Sequence, residues 1–261
     1  MRKERLLGVG ISVPGIVDSK SRRVVLAPNI GWEDADPAGM LESEIGLPVY
    51  IENEAMASAI CENWIGSCQT AGNFVCLNIR SGIGAGIFTG GMPYRGTSGS
   101  AGEVGHLVVD ENGPRCGCGN RGCLETLAST GSIVEKARRL ARKGLVSNLK
   151  KVENFDGITL EDIADAARAG DAAVISLLED AARYIGIALS YIINTLNPSR
   201  IVLGKDFTVY GDLVLDTLRK IIDARALKRP ASNVEIVISQ LGERASTLGA
   251  AIIPLKKLFG R

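Results

Sequence analysis

The chain has 261 residues, of which 46% are hydrophobic and 23% charged, and its formal net charge at pH 7 is +1. This is the composition of an ordinary globular protein, long enough for two domains. It excludes the strongly basic surface by which nucleic-acid-binding domains usually hold phosphates. The sequence shows neither an apolar run of transmembrane length nor a signal peptide, so we expect a cytoplasmic protein with no membrane partner.

Strands and helices alternate in the first part of the chain. A buried strand is predicted over 6–13, and because only five residues stand before it, we expect either preceding sequence or a place at a sheet edge. Asp36 and Pro37 start a helix that ends near Gly46. Short strands are predicted at 24–26 and 48–51, a loop at 29–32, and a helix at 55–64.

The second part of the chain continues this alternation with longer helices. A strand at 74–79, the glycine-rich segment 81–86 and a strand at 87–89 predict a hairpin with turn residues at both bends, the second at Gly90 and Gly91. The remaining predicted elements are helices at 129–143, 160–169, 171–196, 213–224 and 243–259, strands at 201–203 and 234–239, and a loop at 149–157. Pro254 should kink the last helix.

Two segments are candidates for ligand contacts, and the first of them lies where α/β proteins commonly bind ligands. Asn53 and Glu54 stand at a strand-to-helix junction, where they either contact a ligand or only cap the helix. Gly82, Gly84 and Gly86 either let a backbone approach phosphate or serve as turn and packing positions. The residues alone leave both alternatives open, although the segment is not a P-loop, because Gly-Lys-Ser/Thr is absent from it.

A cysteine-rich turn is the most distinctive segment. Cys116, Cys118 and Cys123 fall within eight residues, and His106, the only histidine, precedes them by ten. One histidine and three cysteines make a complete tetrahedral zinc set, and the expected reducing cytoplasm favours zinc over disulfides. The alternative is a group of free buried cysteines beside an unrelated histidine. We interpret the other cysteines, Cys61, Cys68 and Cys76, as isolated thiols in the protein core.

Together these segments resemble the ROK family of bacterial sugar kinases and sugar-responsive transcriptional repressors. The resemblance covers nearly the whole chain and is carried by Val13-Pro-Gly-Ile-Val-Asp18, Ala27-Pro-Asn29-Ile-Gly-Trp32, Glu52-Asn-Glu-Ala55, Ser98-Gly-Ser-Ala-Gly-Glu103-Val-Gly-His106 and Cys116-Gly-Cys-Gly-Asn-Arg-Gly-Cys123-Leu-Glu125. It implies an actin-like, hexokinase-like α/β fold with two lobes and a sugar cleft between them. A seam at 67–72 then separates a partial N-terminal lobe, 1–70, from a C-terminal lobe with the zinc site, 71–261.

The resemblance also implies the residues of the site. The family's zinc ligands fall on His106, Cys116, Cys118 and Cys123, and its sugar contacts fall on Asn53, Glu103, His106, Glu125 and Asn29. Carboxylates accept hydrogen bonds from sugar hydroxyls, and an amide both donates and accepts. His106 would bind zinc through one ring nitrogen and meet the sugar through the other, so that the metal fixes its orientation.

Four departures from the family pattern lie on the phosphoryl-transfer side. The chain has no Asp-x-Gly-x-Thr hairpin for phosphate and metal, and Glu54 replaces the aspartate that serves as the kinase base. The extra methylene of glutamate moves the carboxylate by about 1 Å, a misplacement that can be costly. Arg80 changes the Gly-Thr-Gly phosphate turn, and Lys205 changes the Gly-Gly turn on the adenosine side. The degenerate nucleotide-binding positions are Ser81, Gly82, Gly84 and Gly204.

We therefore expect the zinc-containing, sugar-sensing domain of a ROK-type transcriptional regulator, without kinase activity. Such a regulator is expected to form a homodimer, to bind a small-molecule sugar, and to reach DNA only through a winged helix-turn-helix that this sequence lacks. The alternative is an ATP-dependent sugar kinase of glucokinase type, which would use ATP and Mg²⁺. A zinc domain without any ligand is a third interpretation. Glucose, xylose and N-acetylated sugars all fit the predicted contacts.

Overall fold

A computed structural model of the chain describes residues 6–149 and 155–259. Within these ranges the fold is mixed α/β, with strands grouped in three sheets. None of the helices in the described ranges combines the length and apolar character needed to cross a bilayer, even though the longest has 25 residues.

The strands and helices follow one another in an order typical of α/β proteins. The strands are β1 (Val9–Val13), β2 (Ile16–Asp18), β3 (Arg23–Ala27), β4 (Trp32–Ala35), β5 (Val49–Asn53), β6 (Phe74–Ile79), β7 (Ile83–Thr89), β8 (Met92–Tyr94), β9 (Arg200–Lys205) and β10 (Glu235–Ile238). The helices are α1 (Pro37–Ile45), α2 (Glu54–Trp64), α3 (Leu124–Ala128), α4 (Thr130–Arg142), α5 (Leu160–Arg168), α6 (Ala172–Leu196), α7 (Phe207–Arg225), α8 (Lys228–Asn233) and α9 (Ala245–Leu258).

The largest sheet has the strand order β10-β9-β6-β7-β8, in which β6, β9 and β10 are parallel and β7 is antiparallel to both of its neighbours. β1 and β5 form a parallel pair, and β2, β3 and β4 form an antiparallel sheet. Helices α2 and α9 pack against each other between the large sheet and the β1–β5 pair. The last helix therefore packs against the first strand, while the division of the chain into lobes at 67–72 remains a prediction.

Both faces of the large sheet are covered. Val75 of β6 shares a buried cluster with Ile185 of α6 and Leu218 of α7. Phe74 and Cys76 point to the opposite face and join the cluster formed with α2 and α9, because successive residues of a strand alternate between faces. This two-sided covering explains why all six residues of β6 are buried and why its sequence reads as a continuous apolar run.

Most of the predicted elements are confirmed to within a few residues. The strand at 74–79 is β6, and the helices at 129–143, 160–169 and 171–196 are α4, α5 and α6. The first strand starts later than predicted, at Val9. The predicted loop at 149–157 falls mostly on 150–154, and the sequence expected before the first strand would precede residue 6, so both predictions lie outside the described residues.

Three details of the predicted local structure were wrong. The glycine-rich hairpin is confirmed by the antiparallel pairing of β6 and β7, but β7 begins at Ile83 rather than at Ile87, so the segment 81–86 is a turn only at its start. A Cβ at Gly86 would lie 2.5 Å from the Cβ of Ala59, so glycine is required there for close packing of α2 on the strand.

The other two errors concern boundaries. The predicted loop at 29–32 already contains the start of β4 at Trp32. The helix predicted at 213–224 begins at Phe207, because burial of Phe207 and Tyr210 outweighs the low helix propensity of Gly211. The short elements β2, β8, α3 and α8 were not predicted, since three to six residues show too little periodicity.

Candidate functional site

The cysteine-rich turn is a small hairpin held by backbone hydrogen bonds. Cys116 donates its N–H to the carbonyl of Asn120 at 2.8 Å, and Gly122 donates to Pro114 at 2.8 Å. Gly122 has φ +66° and lies so close to Asp110 that a Cβ would overlap the carbonyl oxygen of that residue. Only glycine fits this position, and the resulting fold turns three thiols toward one point.

The predicted zinc ligands lie together. The ligand atoms of His106, Cys116, Cys118 and Cys123 are all within 4.8 Å of one another. Cys118 Sγ and Cys123 Sγ are 3.7 Å apart, and Cys116 Sγ is 3.7 Å from His106 Nδ1. Two thiolates bound tetrahedrally to one zinc at about 2.3 Å are separated by about 3.8 Å, whereas a disulfide would require about 2.05 Å. The donor set and spacing therefore fit a structural zinc ion.

The thiols of this cluster differ in acidity. A hydrogen bond from the backbone N–H of Asn120 lowers the pKa of Cys118 to about 7. Burial, followed by the neighbouring Cys118 and Cys116, raises the pKa of Cys123 to about 12. A divalent cation at the centre would favour the thiolate form of every one of these groups, so metal binding and proton release are coupled.

Strand β7 connects the cysteine cluster to the predicted sugar contacts. Glu125, two residues after the predicted zinc ligand Cys123, accepts a hydrogen bond from the N–H of Ile83 at 3.3 Å. Ala85 of the same strand donates its N–H at 2.8 Å to the carbonyl of Gly102, which precedes Glu103. The Glu125 carboxylate and the backbone that precedes Glu103 therefore both lie against the first residues of one strand.

Glu103 is exposed, although neighbouring groups remove part of the water around its carboxylate. Desolvation is the main cause that raises the pKa of Glu103, and the charge of Glu125 raises it further while His106 lowers it. Glu103, His106 and Glu125 are therefore close enough to influence one another electrostatically. An ionised Glu103 would accept hydrogen bonds from ligand hydroxyls.

Asn53 caps helix α2 and has limited capacity left for a ligand. Its Oδ1 accepts from the N–H groups of Ala55 and Met56 at 2.8 and 3.1 Å, and its Nδ2 donates to the carbonyl of Gly15 at 2.8 Å. The capping alternative is therefore realised, while one Nδ2 hydrogen stays free of these contacts. Asn53 can thus donate to a sugar oxygen, whereas we had expected it both to donate and to accept.

Glu54, which we predicted to occupy the position of the kinase base, is paired with Lys205. Lys205 Nζ lies 2.9 Å from Glu54 Oε1, and it donates to Ser246 Oγ at 2.7 Å and to the carbonyl of Glu243 at 3.2 Å. The lysine side chain is only 2% exposed, whereas that of Glu54 is 29% exposed. Lys205 also has φ +59°, an outlier for a long side chain that persists only where the surroundings fix it.

A second ion pair joins the two sides of the site. Arg95, in the loop that leads to Glu103, donates to Glu52 Oε2 from Nε at 3.2 Å and from Nη2 at 2.5 Å. The Glu52 side chain is 4% exposed and directly precedes Asn53 in β5. Neither Arg95 nor Lys205 was predicted to form such a contact. Of the two residues, only Lys205 could have been noticed in the sequence, because the family resemblance implies a glycine at that position.

The remaining predicted site residues do not all lie close to the carboxylates and the cysteine cluster beside β7. Asn29 lies in an exposed 3-10 turn, Pro28–Ile30, and is not drawn into the group around β7. Gly84 lies within β7 opposite Asn78, and Gly204 lies within β9, so both are strand positions. Ser81 and Gly82 form the turn before β7, where Gly82 lies against the Glu125 carboxylate.

Comparison with known proteins gives relatives of two functional kinds. The xylose repressor of Caldicellulosiruptor bescii is 35% identical over 254 residues, which cover 97% of this chain and 64% of the repressor. The crystal structure of a ROK family transcriptional regulator, a homolog of the E. coli MLC protein, superposes with a TM-score of 0.86 at 30% identity, covering 95% of this chain and 62% of that one. A ROK family glucokinase from Streptomyces griseus, crystallised with glucose and AMPPNP, gives a TM-score of 0.82 at 34% identity, covering 94% and 80%.

The chain thus spans less than two thirds of the length of the two regulators. The structural likeness confirms the expected actin-like α/β fold. A model of the ROK family matches residues 1–257, and on this evidence the chain belongs to the ROK family.

Proposed function

We propose that this chain is the sugar-sensing, zinc-supported effector portion of a ROK-type transcriptional regulator and that it does not transfer phosphate. The single observation that carries the proposal is the ion pair between Glu54 and Lys205. A general base must be free to take a proton from its substrate, whereas Glu54 Oε1 is held by a buried ammonium. The similarity to a xylose repressor supports the same proposal.

The sugar is bound by groups around the amino ends of α2 and β7. Glu103 and Glu125 accept hydrogen bonds from hydroxyls, and Asn53 donates through its remaining Nδ2 hydrogen. His106 contacts the sugar through Nε2, since Nδ1 faces the cysteines. Asn29 contributes only if the turn that carries it moves toward the ligand.

Zinc orients the ligand-binding groups rather than taking part in a reaction. The three cysteines and His106 would hold the ion, which supplies a fixed centre for the hairpin. This fixes the imidazole and, through the short link from Cys123 to Glu125, the carboxylate against Ile83. Reduced thiols are required for this role, which agrees with the cytoplasmic location that we propose.

Regulation follows from a shift between two arrangements of the lobes. A sugar that binds the closed arrangement more tightly increases its population, and a homodimer transmits this change to its DNA-binding domains.

An ATP-dependent sugar kinase is the second candidate, because the Streptomyces griseus glucokinase is 34% identical and shares the fold. A coupled ADP-release assay with Mg²⁺ and ATP over hexoses, pentoses and N-acetylhexosamines separates the two functions. We expect no turnover above that of the Glu54→Ala variant, together with calorimetric binding of at least one sugar. Turnover that Glu54→Ala abolishes would establish the kinase instead. Absence of binding by folded, zinc-loaded protein would refute the sensor.

A further inference from the structure

Arg95, directly after β8, is joined through its side chain to the segment that carries Asn53. Its guanidinium donates to Glu52 Oε2 from Nε at 3.2 Å and from Nη2 at 2.5 Å. The other oxygen of the same carboxylate, Oε1, accepts the backbone N–H of Asn53 at 3.1 Å. The Glu52 carboxylate therefore links Arg95 to the main chain of a proposed sugar contact.

The main chain of Arg95 is joined to the segment that carries the other proposed contact, Glu103. Its carbonyl accepts the N–H of Ala101 at 3.1 Å. The next residue, Gly102, accepts from the N–H of Ala85 at 2.8 Å, and a Cβ on this glycine would lie 1.9 Å from the Ala85 carbonyl oxygen. Only glycine lets the backbone lie this close to β7, so the residue before Glu103 is fixed on both sides.

The ion pair in this path is a specific one. The Glu52 side chain is 4% exposed, whereas that of Arg95 is 33% exposed. In the part of the chain that the structure describes, Arg95 is the one cation that pairs with this carboxylate. A buried carboxylate is costly without its partner, and both donors come from one planar fork, a geometry that a lysine does not reproduce.

We infer that Arg95 is a positioning residue of the proposed sugar site, which holds Asn53 and Glu103 at a fixed spacing without contacting the sugar itself. This inference rests on the proposed sugar-binding function. Two hydrogen-bonding groups contribute fully to affinity only where they are already held at the spacing of the ligand hydroxyls, because ordering them on binding costs entropy. Arg95 orders them when the chain folds.

Calorimetry on the zinc-loaded chain measures the effect on affinity, with hexoses, pentoses and N-acetylhexosamines, including glucose, xylose and N-acetylglucosamine. Arg95→Met removes both donors and should weaken the binding of a sugar bound by the wild type by roughly tenfold or more. Arg95→Lys keeps the charge and should retain part of the affinity. Arg168→Met, in the exposed pair with Asp212, is the matched control and should change the affinity by less than about twofold. Unchanged affinity in Arg95→Met overturns the inference and leaves the sensor function standing.

A double variant separates positioning from stability. Arg95→Met leaves the Glu52 carboxylate unpaired, so part of its effect could come from a less stable protein. Arg95→Met/Glu52→Gln removes that charge and keeps an oxygen for the N–H of Asn53, so the midpoint of urea unfolding should recover. Sugar binding should stay weak, because the link to the loop is still broken. If the affinity returns together with the stability, Arg95 acts only through stability and the inference is overturned.

Hydrogen exchange without sugar keeps the inference apart from the sensor function. The amide of Ala101 should exchange roughly tenfold faster in Arg95→Met than in the wild type, while the amides of α6 keep their rates. Unchanged exchange at Ala101 overturns the inference whether or not a sugar binds. If the wild type binds none of the sugars, the sensor function is refuted, and faster exchange at Ala101 then supports only the part of the inference that concerns the ordering of the loop.

Discussion

The ion pair between Lys205 and Glu54 predicts an asymmetric response to charge removal. Glu54→Gln leaves the Lys205 ammonium at 2% exposure with no counter-charge, and removal of one partner of a buried pair costs about 3–5 kcal/mol. Lys205→Met leaves a carboxylate that is 29% exposed and that water can reach. We therefore expect a loss of only about 1–2 kcal/mol for this second variant.

The double variant tests whether the effects of the two charges on stability depend on each other. With both charges removed, no buried ion is left unpaired, so Lys205→Met/Glu54→Gln should be more stable than Glu54→Gln alone. The coupling between the two sites is expected to be about 2–3 kcal/mol in favour of the double variant.

Urea unfolding followed by circular dichroism measures these differences, provided that the m-value stays constant. Asp180→Asn in the exposed pair with Arg183 is a matched control and should cost less than about 1 kcal/mol. If Lys205→Met is as destabilising as Glu54→Gln, or if the two losses simply add, the pair is not the buried, mutually dependent unit described above.

Three further predictions concern other parts of the structure. Cys118→Ser should lower both zinc content, measured by atomic emission, and sugar affinity, measured by calorimetry; intact affinity after zinc loss would leave the cluster a purely structural role. The raised pKa of Asp206 means that its carboxyl is destabilising once ionised. The wild type should therefore lose stability relative to Asp206→Asn as pH rises from the ordinary carboxyl pKa through the raised value, and a pH-independent difference would contradict this. Burial would raise the pKa of Asp171, but hydrogen bonds from Asn148 and Ser147 outweigh it and lower the pKa. Asp171→Ala should cost about 2 kcal/mol at pH 7, and this difference should shrink as pH falls from the ordinary carboxyl pKa through the lowered value, because the charge of Asp171 is then lost.

The sequence was sufficient to find the group of one histidine and three cysteines because the information there is local. The four candidate ligands lie within eighteen positions, from His106 to Cys123, and glycines allow the tight hairpin between them. The long helices were equally accessible, since α6 repeats its apolar positions over many turns. Local chemistry and long periodicity are properties that a single sequence expresses directly.

The pairing of Lys205 could not be read in the same way. Its partners Glu54 and Ser246 come from opposite ends of the chain and meet only because α2 and α9 pack side by side. The resemblance marked Lys205 only as a change in the Gly-Gly turn on the adenosine side, whereas the structure shows a salt bridge to Glu54. The limited acceptor capacity of Asn53 was likewise hidden, because its bond to Gly15 depends on tertiary structure.

The return of α9 to the first strand has a consequence for biosynthesis. Ser246 and Glu54 are 192 residues apart in sequence, so α2 and β1 leave the ribosome long before the helix that covers them. Chains are made at about 5–20 residues per second, and the early segment therefore waits roughly ten seconds or more with apolar surface exposed. Such an interval favours capture by a chaperone, and nascent chains stalled before Ala245 should be more sensitive to protease in β1 and α2 than released protein.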